Sequence, residues 1–191
     1  MQHLILVKHA MPVVRPEQAS NLWPLSEEGR RSCHALAQEL AGWDLATVVS
    51  SVEPKARETA QIIANLLGVS WEVAQRLHEN DRTGFPFLDS VTWKAAFSRF
   101  FANPQALVIG RETADQAYRR FAGAVEHVIQ EHADQNLAIV THGTVMSLFV
   151  ARANGLEPFV LWERLACPSY IVLSWLDYRI IRIADKESGR G

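Results

Sequence analysis

Two stretches decide the fold: His3-Leu4-Ile5-Leu6-Val7-Lys8-His9-Ala10 near the start, and Leu137-Ala138-Ile139-Val140-Thr141-His142-Gly143 far downstream. Leu4–Val7 and Leu137–Val140 are short apolar runs between polar flanks, the pattern of a strand buried on both faces. Each run leads directly into a histidine. Working outward from the first, Pro12, Pro16 and Pro24 punctuate a loop. Ser26 then opens a helix, with Glu27 and Glu28 in its first turn and Ala35, Leu36, Leu40 and Trp43 along one face. Thr47–Ser50 reads as a β-branched strand, and Pro54 begins a helix that runs to about Leu67 and stops at Gly68. Trp71–Ala74 is a third strand.

From His78 to Gly110 the chain is irregular and rich in aromatics, with a helix expected over about Val91–Ala102. A long amphipathic helix follows from Thr113 to about His132, carrying Tyr118, Phe121, Val125, Val128 and Ile129 near one face. Beyond the second histidine, Thr144–Ala153 is helical and ends at Asn154-Gly155. Tyr170–Trp175 and Arg179–Ile183 form an antiparallel hairpin around Leu176-Asp177-Tyr178. Strands alternating with helices predict an α/β protein with a mostly parallel sheet, made mixed by the hairpin. The 191 residues fit one domain, with a variable lid at about 82–110.

Apolar residues make up 48% and charged residues 21%, as in an ordinary globular chain. The formal net charge of −2 offers no field for nucleic acid, so any bound anion must be held by a few placed cations. Cys33 and Cys167 are too few and too isolated for a disulfide framework or a zinc site. No apolar stretch approaches membrane-spanning length, and MQHLILVKHAMP lacks the parts of a secretory signal. A reduced, cytoplasmic setting without metal or cofactor is the expectation; the oligomeric state is open.

In open α/β sheets the chemistry lies at the C-terminal ends of the strands. Lys8 and His9 follow the first strand, Arg57 lies just beyond the second, Glu79 follows the third, and His142 and Gly143 follow the last. Taken singly, each has a plain structural reading: a hydrogen-bonded histidine, a solvated arginine, a surface acid. Together at one rim they suit phosphoryl transfer. A neutral imidazole attacks phosphorus. Lys8, Arg57 and the second imidazole would offset the charge on the phosphoryl oxygens. A helix starting at Thr144 would add its N–H groups. Glu79 would protonate the leaving oxygen, with Asp81 the next candidate.

LILVKHAMP resembles the Arg-His-Gly strand and loop of the histidine phosphatase superfamily, also called phosphoglycerate mutase-like. PLSEEGRRSCHAL is similar to its PLT-x-x-G-x-x-QA segment, SSVEPKARETAQIIA to its SS-x-x-x-RA-x-x-TA segment, and AIVTHGTVMSLFVARANG to its second-histidine segment. GRETADQAYRRFAGAV is similar to the helix before that segment. The matches run in family order over most of the chain.

The resemblance implies a three-layer α/β/α sandwich and metal-free hydrolysis of a small phosphate monoester. It implies that His9 carries the phosphoryl group and that Arg57 and Lys8 bind it. His142 would complete the pocket, and Glu79 would act as proton donor and then base. Lys8 and Ala10 replace the signature arginine and glycine, and Met11-Pro12-Val13-Val14-Arg15 replaces the mutase branch's Glu-Thr and Asn. The alternatives to a phosphatase are a phosphoglycerate mutase-like transferase and a degenerate relative that only binds phosphorylated ligands.

Overall fold

The computed structural model describes residues 2–133 and 135–185; the expected domain of residues 1–191 therefore includes positions outside the described residues. The described residues form one six-stranded sheet flanked by helices. In chain order the elements are β1 (His3–Lys8), α1 (Glu27–Leu40), β2 (Thr47–Ser50), α2 (Pro54–Leu67), β3 (Ser70–Val73), α3 (Ser90–Ala102), α4 (Ala114–Glu131), β4 (Leu137–Thr141), α5 (Gly143–Asn154), α6 (Pro158–Arg164), β5 (Ser169–Ser174) and β6 (Ile180–Ala184). The strand order is β3-β2-β4-β1-β5-β6. The first four strands are parallel, and β5 and β6 run antiparallel beside β1.

Alternation along the strands builds two cores. Leu4 and Leu6 of β1, with Leu137 and Ile139 of β4, face α3, α4, α5 and α6. Ile5 and Val7, with Ala138 and Val140, face α1 and α2. Both faces of the central strands are thus buried, which is why β1 and β4 read as unbroken apolar runs. The outcome is an α/β/α sandwich.

Helix termini follow their local signals. The Ser26 hydroxyl accepts from the Gly29 N–H, and Gly68 and Gly155 take left-handed C-caps at φ 70° and 65°. Thr113 and Gln116 form a reciprocal capping box on α4. α1 approaches the first loop so closely that a Cβ on Gly29 would lie 2.2 Å from the Met11 carbonyl oxygen. β3 begins one residue earlier than Trp71, and α6 is a short helix that the sequence reading did not anticipate.

The topology makes one row of strand ends. Lys8 of β1 pairs with Thr141 of β4, and Ser50 of β2 pairs with Val140. Two backbone bonds extend the row: His9 N–H to Thr141 O at 3.0 Å and Ser51 N–H to Val140 O at 2.9 Å. α1 and α2, after β1 and β2, pack on one face, whereas α5, after β4, packs on the other. The chain diverges to opposite faces at this rim, where α/β folds open a crevice.

Candidate active site

His9 leaves β1 with its backbone tied to β4 and its ring turned back on the next peptide. Nδ1 lies 2.8 Å from the Ala10 carbonyl oxygen. A carbonyl can only accept, so Nδ1 carries the proton and Nε2 of the neutral ring keeps its lone pair. The Ala10 peptide is itself anchored, donating its N–H to the Thr59 hydroxyl at 3.1 Å. Burial first, then the neighbouring His142 and the charge of Lys55, hold the His9 pKa well below 6.5. The ring is therefore a neutral base with a fixed tautomer.

His142 caps α5 and is fully buried. Its ring meets His9 edge-on, with centroids 5.2 Å apart. Nε2 lies 2.8 Å from Ser51 Oγ and 3.4 Å from Glu53 Oε1, while Nδ1 is buried without a hydrogen-bond partner. Burial first, and Lys55 second, keep this imidazole neutral as well.

Two lysines supply positive charge. Lys8 Nζ donates to the Leu165 carbonyl at 2.9 Å, at the end of α6. Its stem lies along Gly143, where a Cβ would come within 3.1 Å of Lys8 Cε. Lys55, in the first turn of α2, is buried; its Nζ is 2.6 Å from both Glu53 Oε2 and the Ser20 carbonyl oxygen.

Arg57 is elsewhere, which corrects its expected place at the phosphate site. It is exposed in a shallow groove with Pro54, Glu58, Gln61 and Trp71. The reason is helical phase: residues two apart point about 200° away from each other. With Lys55 turned inward, Arg57 must face out. Counting the segment itself would have found this, because Ser50-Ser51-x-x-x-Lys55-Ala56-x-x-Thr59-Ala60 puts lysine, not Arg57, in the arginine position. Both arginine positions of the resembled motifs are therefore lysines.

Glu79 follows β3 and reaches the N-terminus of α5. Its carboxylate accepts from the N–H groups of Thr144 at 3.1 Å and Val145 at 3.2 Å. It also pairs with Arg82 Nη2 at 2.9 Å. Burial pushes the carboxyl pKa up, but Arg82, His142 and the Thr144 N–H together bring it below 4.5. The α5 N–H groups expected to face an anion are thus held by a carboxylate of the chain. Asp81 lies aside, with its carboxylate on the Thr83 N–H at 2.8 Å.

Four further residues complete the rim. Glu53 joins Lys55 to the Glu79 N–H, which it receives at 2.9 Å. Arg120 clamps the loop from behind, donating to the carbonyls of Arg76, His78 and Glu79 while paired with Glu112. Asn80 and Arg82 flank Glu79, bonded to each other at 3.0 Å. No sequence signal marked these residues: Glu53, Arg82 and Arg120 acquire their places through bonds to residues distant in the chain, and Asn80 through the loop conformation that sets it against Arg82. Among the described residues no cluster of His, Cys, Asp and Glu could hold a metal ion, and no helix is long and apolar enough to cross a membrane.

Comparison with known proteins bears on this arrangement. Phosphoserine phosphatase 1 of Hydrogenobacter thermophilus is 28% identical over 171 residues, covering 85% of this chain and 81% of the relative. Phosphoglycerate mutase-like protein 4 of Arabidopsis thaliana is 28% identical over 138 residues, covering 68% of this chain and 60% of the relative. Among solved structures, a mycobacterial glucosyl-3-phosphoglycerate phosphatase in complex with VO3 superposes with a TM-score of 0.76 at 19% identity, over 96% of this chain and 97% of the other. Phosphoserine phosphatase from Entamoeba histolytica, in complex with 3-phosphoglyceric acid, gives 0.77 at 14% identity, over 98% and 99%. These structures share the fold. The family profile matches residues 4–181, a span that includes both strand-end histidines and the acid loop between them, and so this chain belongs to the histidine phosphatase superfamily (branch 1).

Proposed function

We propose that this phosphoric monoester hydrolase cleaves its substrate through a phosphohistidine on His9, without a metal ion. The observation that carries the reading is the 2.8 Å contact from His9 Nδ1 to the Ala10 carbonyl. It leaves Nε2 as the available nucleophile in a ring kept neutral by its surroundings. In the first step Nε2 bonds to phosphorus as the P–O bond to the leaving group breaks. Lys8, Lys55 and His142 offset the charge on the phosphoryl oxygens.

Glu79 gives a proton to the leaving oxygen. It is ionised in the free protein, so a proton is taken up as the phosphoryl dianion, a like charge, raises its pKa. In the second step water attacks phosphorus, the N–P bond breaks, and Glu79 accepts the water's proton. Inorganic phosphate leaves. Residues 82–110, with α3, border the acid loop and form the cover over the leaving-group side.

The relatives support a phosphatase in preference to a transferase, and three of those described above are named for phosphoserine or glucosyl-3-phosphoglycerate. The test is turnover of p-nitrophenyl phosphate in EDTA by the native protein and by His9→Ala. The reading expects phosphate release by the first and none by the second. Full activity in His9→Ala, or activity that EDTA removes and a divalent ion restores, contradicts it.

A further inference from the structure

Resting on that phosphatase reading, we infer that Glu53 is a positioning residue whose charge makes phosphoryl binding draw a proton into the site. Glu53 falls at an unspecified position of the SS-x-x-x-RA segment, where nothing in the motif calls for a carboxylate. It is the N-cap of α2, yet its side chain makes no bond to the helix's own N–H groups, the work a cap carboxylate ordinarily does. The side chain turns into the site instead and is 5% exposed there. Oε2 accepts from Lys55 Nζ at 2.6 Å, Oε1 accepts from the Glu79 N–H at 2.9 Å, and Oε1 lies 3.4 Å from His142 Nε2. One carboxylate thus touches the buried cation, the acid loop and the second histidine.

The charge balance gives this placement a consequence. Among the described residues Lys8, Lys55 and Arg82 are the cations of the cluster, Glu53 and Glu79 are its carboxylates, and both imidazoles are held neutral. A single positive charge is left to meet a phosphoryl dianion. The surrounding groups do not alter the balance. Arg120 is paired with Glu112 at 2.8 Å, Arg111 acts on Asp81, and burial first and Arg120 second keep His78 below 6.5.

An uncompensated charge in a buried site is unfavourable, and a proton taken from solvent cancels it. Glu79 and His142 are the groups placed to accept that proton, and Glu53 faces both. A negative charge beside either favours its protonated form. The reaction uses the proton at Glu79, on its way to the leaving oxygen. Without the Glu53 charge, two positive charges would meet the dianion, and Glu79 would stay a carboxylate that cannot serve a poor leaving group.

The probe is tungstate, a tetrahedral dianion near neutral pH that brings no proton of its own. Titration calorimetry in buffers of different ionisation enthalpy reads the protons taken up on binding. The native protein should take up about one proton near neutral pH, and its Kd for tungstate should rise about tenfold per unit of pH there. Glu53→Gln keeps an acceptor for the Glu79 N–H but not the charge. Its uptake should fall towards zero, and at about pH 8 it should bind tungstate no more weakly than the native protein, which lost support for Lys55 alone would not give. Glu53→Asp keeps the charge and should keep the uptake. Glu53→Gln combined with Lys55→Met removes one charge of each sign and should also keep it; removing both partners of a buried pair is often tolerated, so the double variant serves if Glu53→Gln does not fold. Binding needs no turnover, which separates this claim from the phosphatase reading. If uptake depends on Glu53 in a protein that releases no phosphate, the proton linkage stands and the reaction does not. A native protein that fails to bind tungstate, or binds it without proton uptake, overturns the proposal. So does uptake unchanged in a folded Glu53→Gln or lost in the double variant.

Discussion

Replacing Lys55 with Met tests the placement of the buried cation, and Arg57→Ala is its control. The Lys55 ammonium is 5% exposed and sits 2.6 Å from both Glu53 Oε2 and the Ser20 carbonyl oxygen. Removing it strands the Glu53 carboxylate, itself 5% exposed, beside His142. Breaking one side of a buried pair costs about 3–5 kcal/mol. For a chain of this size that corresponds to a fall in Tm of roughly 6–20 °C. The phosphoryl oxygens also lose a fixed positive charge, and loss of one such donor costs about 10²–10³ in kcat. Arg57 is exposed, and its removal should change stability by no more than about 0.5 kcal/mol and leave turnover within about twofold. The assay is phosphate release from p-nitrophenyl phosphate, with a thermal melt of each variant to separate unfolding from lost chemistry. A folded Lys55→Met with native kcat/KM, or an Arg57→Ala that loses most of it, would refute the assignment.

Other predictions follow from the same geometry. Glu79→Gln should damage hydrolysis of alkyl phosphates about 10²–10⁴-fold but spare p-nitrophenyl phosphate, whose leaving group hardly needs a proton; equal losses would remove Glu79 from the acid role. Lys8→Met should lose most of the activity and Lys8→Arg should retain it; an indifferent Lys8→Met would place the ammonium away from the phosphate. His9, His142 and His78 all have folded pKa values below 6.5, so the unfolded chain binds more protons as pH falls through that value. Stability should therefore decline as pH drops through 6.5, with a further loss that begins as pH falls below about 4.5 and is complete once it has passed the depressed folded pKa of Glu79. Chemical denaturation at a series of pH values checks the slope, and a flat or opposite slope near 6.5 contradicts the neutral buried imidazoles.

The strand frame was legible because β1, β2 and β4 are buried on both faces and announce themselves as apolar or β-branched runs; β2 spans Thr47–Ser50 as read. Glycine and proline marked the ends of α2 and α5. α6 was not legible because Pro158–Arg164 is too short for a periodic face to stand out. His9, His142, Lys8 and Glu79 could be singled out because the fold class itself nominates strand ends. Arg57 failed for a different reason: proximity along a helix was mistaken for direction. Glu53, Arg82 and Arg120 carry no motif, and their significance lies in bonds to residues tens of positions away that only three dimensions reveal.

The most direct measurement of the central claim is chemical trapping of the phosphorylated protein. A substrate labelled in its phosphoryl group is mixed with the native protein, the reaction is stopped by denaturation in alkali, and the label is located by peptide mapping. The account predicts label on the peptide containing His9, stable in base and released in acid, and absent from His9→Ala. Label that survives acid and is lost in base, or label on any residue other than His9, would contradict it.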